Sequence, residues 1–184
     1  MSKAIGINVT KANDGYDEGA SKFFGAPAVP AEWQDIFDDD EMFFCQIRCS
    51  DIAQYDEQSI LPHSGYIYVF LNTASYPYKP RVMYYDGEPD TVIDDFNAEV
   101  DGAQHLIDGW LMSFSEVQDD SDGNRLLGVP ADWNYDGKKP EVFLQYDPLA
   151  SEMGFADNID GYIYLVFSDD AHSFDKVEYI EERS

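Results

Sequence analysis

Positive charge is scarce in this 184-residue chain. Eleven Lys and Arg stand against 37 Asp and Glu, a formal net charge of −26. The imbalance is uniform: residues 1–100 hold 18 acidic and 6 basic side chains, and residues 101–184 hold 19 and 5. There is thus no acidic tail on a neutral domain; the whole surface is expected to be negative. Such a surface repels phosphate backbones, which argues against a nucleic-acid partner, and steers a basic protein inward. Solubility is the other use of such a charge. Long apolar runs are missing as well. None approaches the ~20 residues of a membrane helix, so no membrane partner is expected. The opening stretch MSKAIGINVTKANDG lacks the long apolar core of a signal peptide, and a cytoplasmic location is expected.

Cysteine is nearly absent. Cys45 and Cys49 share the stretch FFCQIRCSD. On a strand they would lie about 13 Å apart at ~3.3 Å per residue, beyond the ~7 Å a disulfide spans. No His or second Cys pair stands nearby for zinc, so both are expected to act as small apolar residues on one strand face. His63, His105 and His172 are isolated, without the spacing of a metal or metalloprotease motif, and read as surface residues. No nucleophile elbow, Walker loop or dinucleotide fingerprint occurs. QDDSDGNRLLGV suggests a calcium loop, but Val129 stands where the bidentate Glu must be. The run Asp38–Glu41 reads as a solvated edge before a strand. No catalytic residue, metal site or cofactor is therefore expected, and an enzyme is the weaker reading.

Aromatics are abundant: 13 Tyr, 12 Phe and 3 Trp, with 44% hydrophobic residues overall. A disordered acidic chain lacks these, so folding is expected. Their arrangement reveals an internal repeat. SGYIYVF (Ser64–Phe70) returns as DGYIYLVF (Asp160–Phe167), and three further matches keep the same order. INVTKANDG (Ile7–Gly15) stands against MSFSEVQDDSDG (Met112–Gly123). KFFGAPAVPAEW (Lys22–Trp33) stands against RLLGVPADW (Arg125–Trp133), and MFFCQI (Met42–Ile47) against EVFLQY (Glu141–Tyr146). The aromatic-strand match continues beyond the strand, with PRVMYYD (Pro80–Asp86) against DKVEYIE (Asp175–Glu181).

Four ordered matches point to duplication. A single domain over residues 1–184 is expected, with units at about 4–88 and 110–184 and an acidic connector at 89–109. In the connector Val92, Ile93, Phe96 and Val100 have helical spacing. Each unit reads as four strands with short links, hence antiparallel. Tyr66, Tyr68 and Phe70 share one face of the aromatic strand and Ile67, Val69 and Leu71 the other. With both faces apolar, it reads as a central strand covered on two sides. The expected fold class is α+β: predominantly antiparallel sheet from two duplicated units related by pseudo-twofold symmetry, with a few helices.

Repetition also selects the candidate site residues. Gln46 and Gln145 occupy matching places on apolar strands, and a buried amide must find partners. They either tie the Gly-x-Pro loops by hydrogen bonds or contact a ligand in one cleft between the units. Lys22 and Arg125 are matching cations in an acidic protein; they hold structural carboxylates or bind an anion. Trp33 and Trp133 read as anchors of the loops on the core.

At these residues the chain resembles the YwqG-like family of bacterial proteins of unknown function. Ser21, Lys22, Gly25, Pro27 and Pro30 fit its S-K-x-G-G-x-P pattern and following Pro, with Phe24 in place of the first Gly. Cys45, Gln46 and Ile47 fit the L-A-Q-I-N element. Asn124 to Pro130 and Phe143 to Asp147 are similar to its later H-x-L-L-G-x-P and L-L-Q-I-D elements. Asn124 stands where a His is common, which weakens any catalytic role there. Asp157 or Asp160 would supply the acidic residue before Gly161. The resemblance spans most of the chain and implies an antiparallel α+β fold with internal duplication. Some relatives accompany toxin systems as candidate immunity proteins. The function expected is a non-catalytic interaction module of immunity or antitoxin type that binds a basic partner such as a toxin domain. The alternative is a small-molecule binding protein or enzyme with a cleft between the repeats.

Overall fold

A computed structural model describes residues 3–99, 106–148, 153 and 161–182. The first half contributes β1 (Lys3–Lys11), β2 (Lys22–Phe23), β3 (Ala28–Val29), β4 (Glu41–Arg48), β5 (Tyr66–Asn72) and β6 (Lys79–Tyr85). After β7 (Thr91–Val92) come β8 (Trp110–Gln118), β9 (Arg125–Leu126), β10 (Glu141–Tyr146), β11 (Ile163–Phe167) and β12 (Val177–Glu181). Helix among the described residues is limited to one α turn, α1 (Cys49–Ile52), and short 3-10 turns. The fold is thus predominantly antiparallel β.

Ten strands form a single sheet in the order β12-β11-β10-β9-β1-β8-β2-β4-β5-β6, and β3 pairs with β7 apart from it. The sheet curls into a nearly closed barrel. Its edge strands β6 and β12 lie side by side without a shared ladder, and Tyr78 meets Tyr179 across the seam with ring centroids 5.5 Å apart. The order reads alike from either edge when β1, β2, β4, β5 and β6 are matched with β8 to β12. At the middle the halves exchange strands: β1 pairs with β8 and β9, and β8 pairs with β1 and β2.

The interior is one large apolar cluster that includes Ile5, Phe23, Phe44, Ile67, Val69, Leu126, Phe143 and Leu165. The other face of β5 carries Tyr66, Tyr68 and Phe70, packed with Phe43 and Val29 beneath Trp33, Phe37, Ile93 and Phe96. Tyr164 and Val166 of β11 pack likewise with Val142 beneath Trp133. Burial of both strand faces thus has a different cause from the one expected. β5 and β11 are second from the edges, not central; the small β3–β7 pair and the segments carrying Trp33, Phe37 and Phe96 cover the outer face of β5, and the Trp133 loop covers that of β11.

Two further expectations need correction. Cys45 lies on β4, but Cys49 begins α1, so the two do not share a strand; both are buried free thiols. The connector forms β7 and a 3-10 turn at Phe96–Glu99 in place of the helix its spacing predicts. Pairing of Val92 with Ala28 holds the segment extended, and Ile93 and Phe96 reach the outer cluster from there. Val100 lies outside the described residues.

Candidate functional site

The two Gly-x-Pro loops are built alike. β4 and β10 each carry a bulge, between Phe43 and Cys45 and between Val142 and Leu144. The carbonyls of Phe44 and Phe143 there accept from the N–H groups of Phe24 (3.0 Å) and Leu127 (3.1 Å). To make that turn Phe24 and Leu127 adopt φ of 54° and 66°, followed by Gly25 and Gly128 at 77° and 85°. Left-handed backbone costs a non-Gly residue about 1–2 kcal/mol; burial of both side chains holds it here. A Cβ on Gly128 would stand 2.2 Å from the Asp119 carbonyl oxygen.

The structure brings the four candidate residues together as two pairs, Lys22 opposite Gln46 and Arg125 opposite Gln145, each on adjacent strands. All four are fully buried. Gln46 donates through Nε2 to the carbonyls of Glu18 (3.0 Å) and Ala20 (2.9 Å), and its Oε1 accepts from Ala28 N–H (3.0 Å), just beyond Pro27. Gln145 donates to Ser121 (3.1 Å) and Gly123 (2.7 Å) and accepts from Ala131 N–H (3.0 Å), just beyond Pro130. Both amides therefore tie the polar turn to the loop that follows.

The cations are held differently. Lys22 Nζ reaches Tyr16 Oη (3.2 Å), the Glu18 carbonyl (3.0 Å) and the Glu18 carboxylate (3.2 Å). Burial lowers its ammonium pKa, partly opposed by Glu18. Arg125 donates to the Ser121, Leu127 and Val129 carbonyls and to Gln145 Oε1. Burial pushes its guanidinium down to about 10. None of the four lines the cavities described next.

A cavity of about 140 Å³ lies where the first half meets the second, with Lys3, Gln58 and Ile60 on one side and Leu127, Glu141 and His172 on the other. His172 Nε2 contacts the Glu141 carboxylate, and its ring packs on Phe167. His63 bonds Asp56 at 3.1 Å; His105 lies outside the described residues. Elsewhere an open groove of about 580 Å³ is walled by Gln34, Asp35, Val92, Ile93, Asp94 and Asp95. No basic residue lines it, and Ile36 beside it is 41% exposed. Trp33 stands below, edge-on to Tyr68 at 5.3 Å.

No family model matches the chain, and no curated protein matches it. Among the described residues no group of three or more His, Cys, Asp or Glu is placed to hold a metal ion, and no helix is long and apolar enough to cross a membrane. Residues that sequence reasoning passed over include Glu41 and the His172–Glu141 pair. Asp38, Asp39 and Asp40 are exposed as expected of a solvated edge, but Glu41 at the end of the run is 3% exposed. Its signal was phase: two residues before Phe43, it shares that residue's face.

Proposed function

We propose that this chain is a non-catalytic docking module for a basic protein, of immunity or antitoxin type, as its resemblance to the YwqG-like family also suggests. The observation that carries the reading is a net charge of −26 combined with a groove whose charged walls are all acidic, Asp35, Asp94 and Asp95, around the apolar floor of Val92 and Ile93. A basic segment with one or two apolar side chains complements it in both respects. Exposed charges of this kind raise the association rate and make it fall with salt. We further propose that the mirrored strand order and the paired Gln46 and Gln145 ties descend from one duplicated unit, giving pseudo-twofold symmetry. A second reading, a small-molecule site between the halves, draws on the cavity at His172 and Glu141.

Affinity capture with the full chain at low and high salt tests the docking role. A stoichiometric basic protein is expected, bound at low salt and released as salt rises. A variant with Asp35, Asp94 and Asp95 all changed to Asn should lose at least about tenfold in affinity, about 1.4 kcal/mol. Recovery of no stoichiometric partner, or of one indifferent to salt and to these substitutions, would sink the proposal.

A further inference from the structure

A separate cavity, unrelated to the docking groove, lies at the rim of the first half's outer aromatic cluster. Its walls are Asp38, Glu41, Asn72, Lys79, Pro80 and Arg81, and its volume is about 250 Å³, several times the ~30 Å³ share of one liquid water. The ladder places its polar groups: Glu41 lies opposite Asn72, and Asn72 opposite Lys79. Arg81 follows Lys79 on the same face of β6, with its guanidinium 5.8 Å from the Phe37 ring centroid.

Glu41 is the unusual member. Its Oε1 accepts from Arg81 Nη2 at 2.8 Å and from Asp38 N–H at 3.1 Å. Its Oε2 is buried and has no partner. A carboxylate oxygen taken from water without a donor is costly, and burial accordingly raises the Glu41 carboxyl above its ordinary 4.5. Across β5 stand two cations. Lys79 makes no ion pair among the described residues, and Arg81 has five N–H donors with one nitrogen directed at Glu41. Both are rare in a chain with 11 cations.

This arrangement is not something the fold needs twice. Aligning the Gln46–Tyr68–Met83 rung with the Gln145–Tyr164–Ile180 rung puts Pro140 at the position of Glu41 and Glu178 at that of Arg81. A function peculiar to one half is carried by what differs between the halves, and here the charge pair itself differs.

A simple anion entering the cavity would meet Glu41, and a simple cation would meet Lys79 and Arg81. A zwitterion satisfies both. We propose that this cavity binds the head group of a small α-amino acid, its ammonium donating to the Glu41 carboxylate and its carboxylate accepting from Lys79 and Arg81. One carbon separates the two charges of that head group, which suits an acid and a base that are already in contact. Its side chain faces the open mouth of the cavity.

Calorimetric titration and thermal shift of the full chain test this, with glycine, alanine and serine as probes beside N-acetylalanine and alanine methyl ester. The free amino acids should bind and raise the unfolding temperature, and each blocked analogue should bind at least about tenfold more weakly, about 1.4 kcal/mol. Lys79→Met alters an exposed side chain, so it should unfold at the wild-type temperature and still lose the same factor. Glu41→Gln should lose it as well; should that variant fail to fold, Lys79→Met carries the test. The absence of saturable binding by any free amino acid, equal binding by the blocked analogues, or unchanged affinity in Lys79→Met would each overturn the proposal.

Discussion

Gln46 and Gln145 show how much of a fold can rest on one amide. Each engages two turn carbonyls and one loop N–H, so removing the amide strands three backbone groups that lie partly or wholly out of water. Leaving a buried polar group unsatisfied costs about 1–3 kcal/mol. Gln46→Leu, which keeps the bulk, should therefore lower stability by roughly 2–5 kcal/mol, a large share of the ~5–15 kcal/mol of a typical domain. Gln145→Leu should cost more, because Arg125 Nη2 also loses its 2.8 Å acceptor. Urea midpoints measure both; a loss below about 1 kcal/mol in either variant would show that the ties are dispensable. These roles were legible in outline, since a Gln repeated on an apolar strand had to satisfy its amide somewhere. The partners were not legible, because they lie as many as 28 residues away, across a loop whose course depends on the left-handed backbone of Phe24 and Leu127.

Among the elements, the aromatic strands were read most fully: alternation and the preceding Gly placed β5 and β11 to within a residue or two. Gly65 leads β5 with φ 78°, and a Cβ there would stand 2.4 Å from the Tyr85 carbonyl oxygen. Gly15 has the same φ and nothing within 4 Å of its Cβ. Both should pay the left-handed cost of about 1–2 kcal/mol when changed to Ala, but Gly65→Ala should lose clearly more, because it must also part β5 from the end of β6. Equal losses in the two variants would remove close approach as the reason for Gly65. The two-residue strands β2, β3, β7 and β9 were largely illegible. Periodicity needs four or more residues to register, and these segments are extended only because their neighbours hold them. The connector shows the same limit: Ile93 and Phe96 are three apart as in a helix, yet the pairing of Ala28 with Val92 decides its conformation.

At the scale of the molecule, the repeat predicted two similar sheets but not the exchange of strands between them. Each half extends its first strand into the other. β9 lies between β1 and β10, and β2 lies between β8 and β4. Sequence self-similarity reports which strands correspond, not which of two equivalent partners each one chooses. The exchange has a consequence for folding. A first half alone would keep β4, β5 and β6 paired, but β1 would lose both of its neighbours, β8 and β9, and β2 would lose one side of its ladder. The interior cluster would also be cut, since Phe23, Phe24 and Phe44 of one half pack against Tyr146 of the other at 5.3–6.3 Å between ring centroids. Fragments 1–99 and 106–184 prepared separately should therefore each lack a cooperative unfolding transition, whereas an equimolar mixture should recover one together with the β-sheet circular dichroism of the whole chain. Two acidic fragments repel, so recovery should improve as added salt shortens the screening length from ~30 Å at 0.01 M to ~8 Å at 0.15 M. Cooperative unfolding by either fragment alone would mean that each half completes its own sheet, and that the exchange of β1 and β8 is not what joins them.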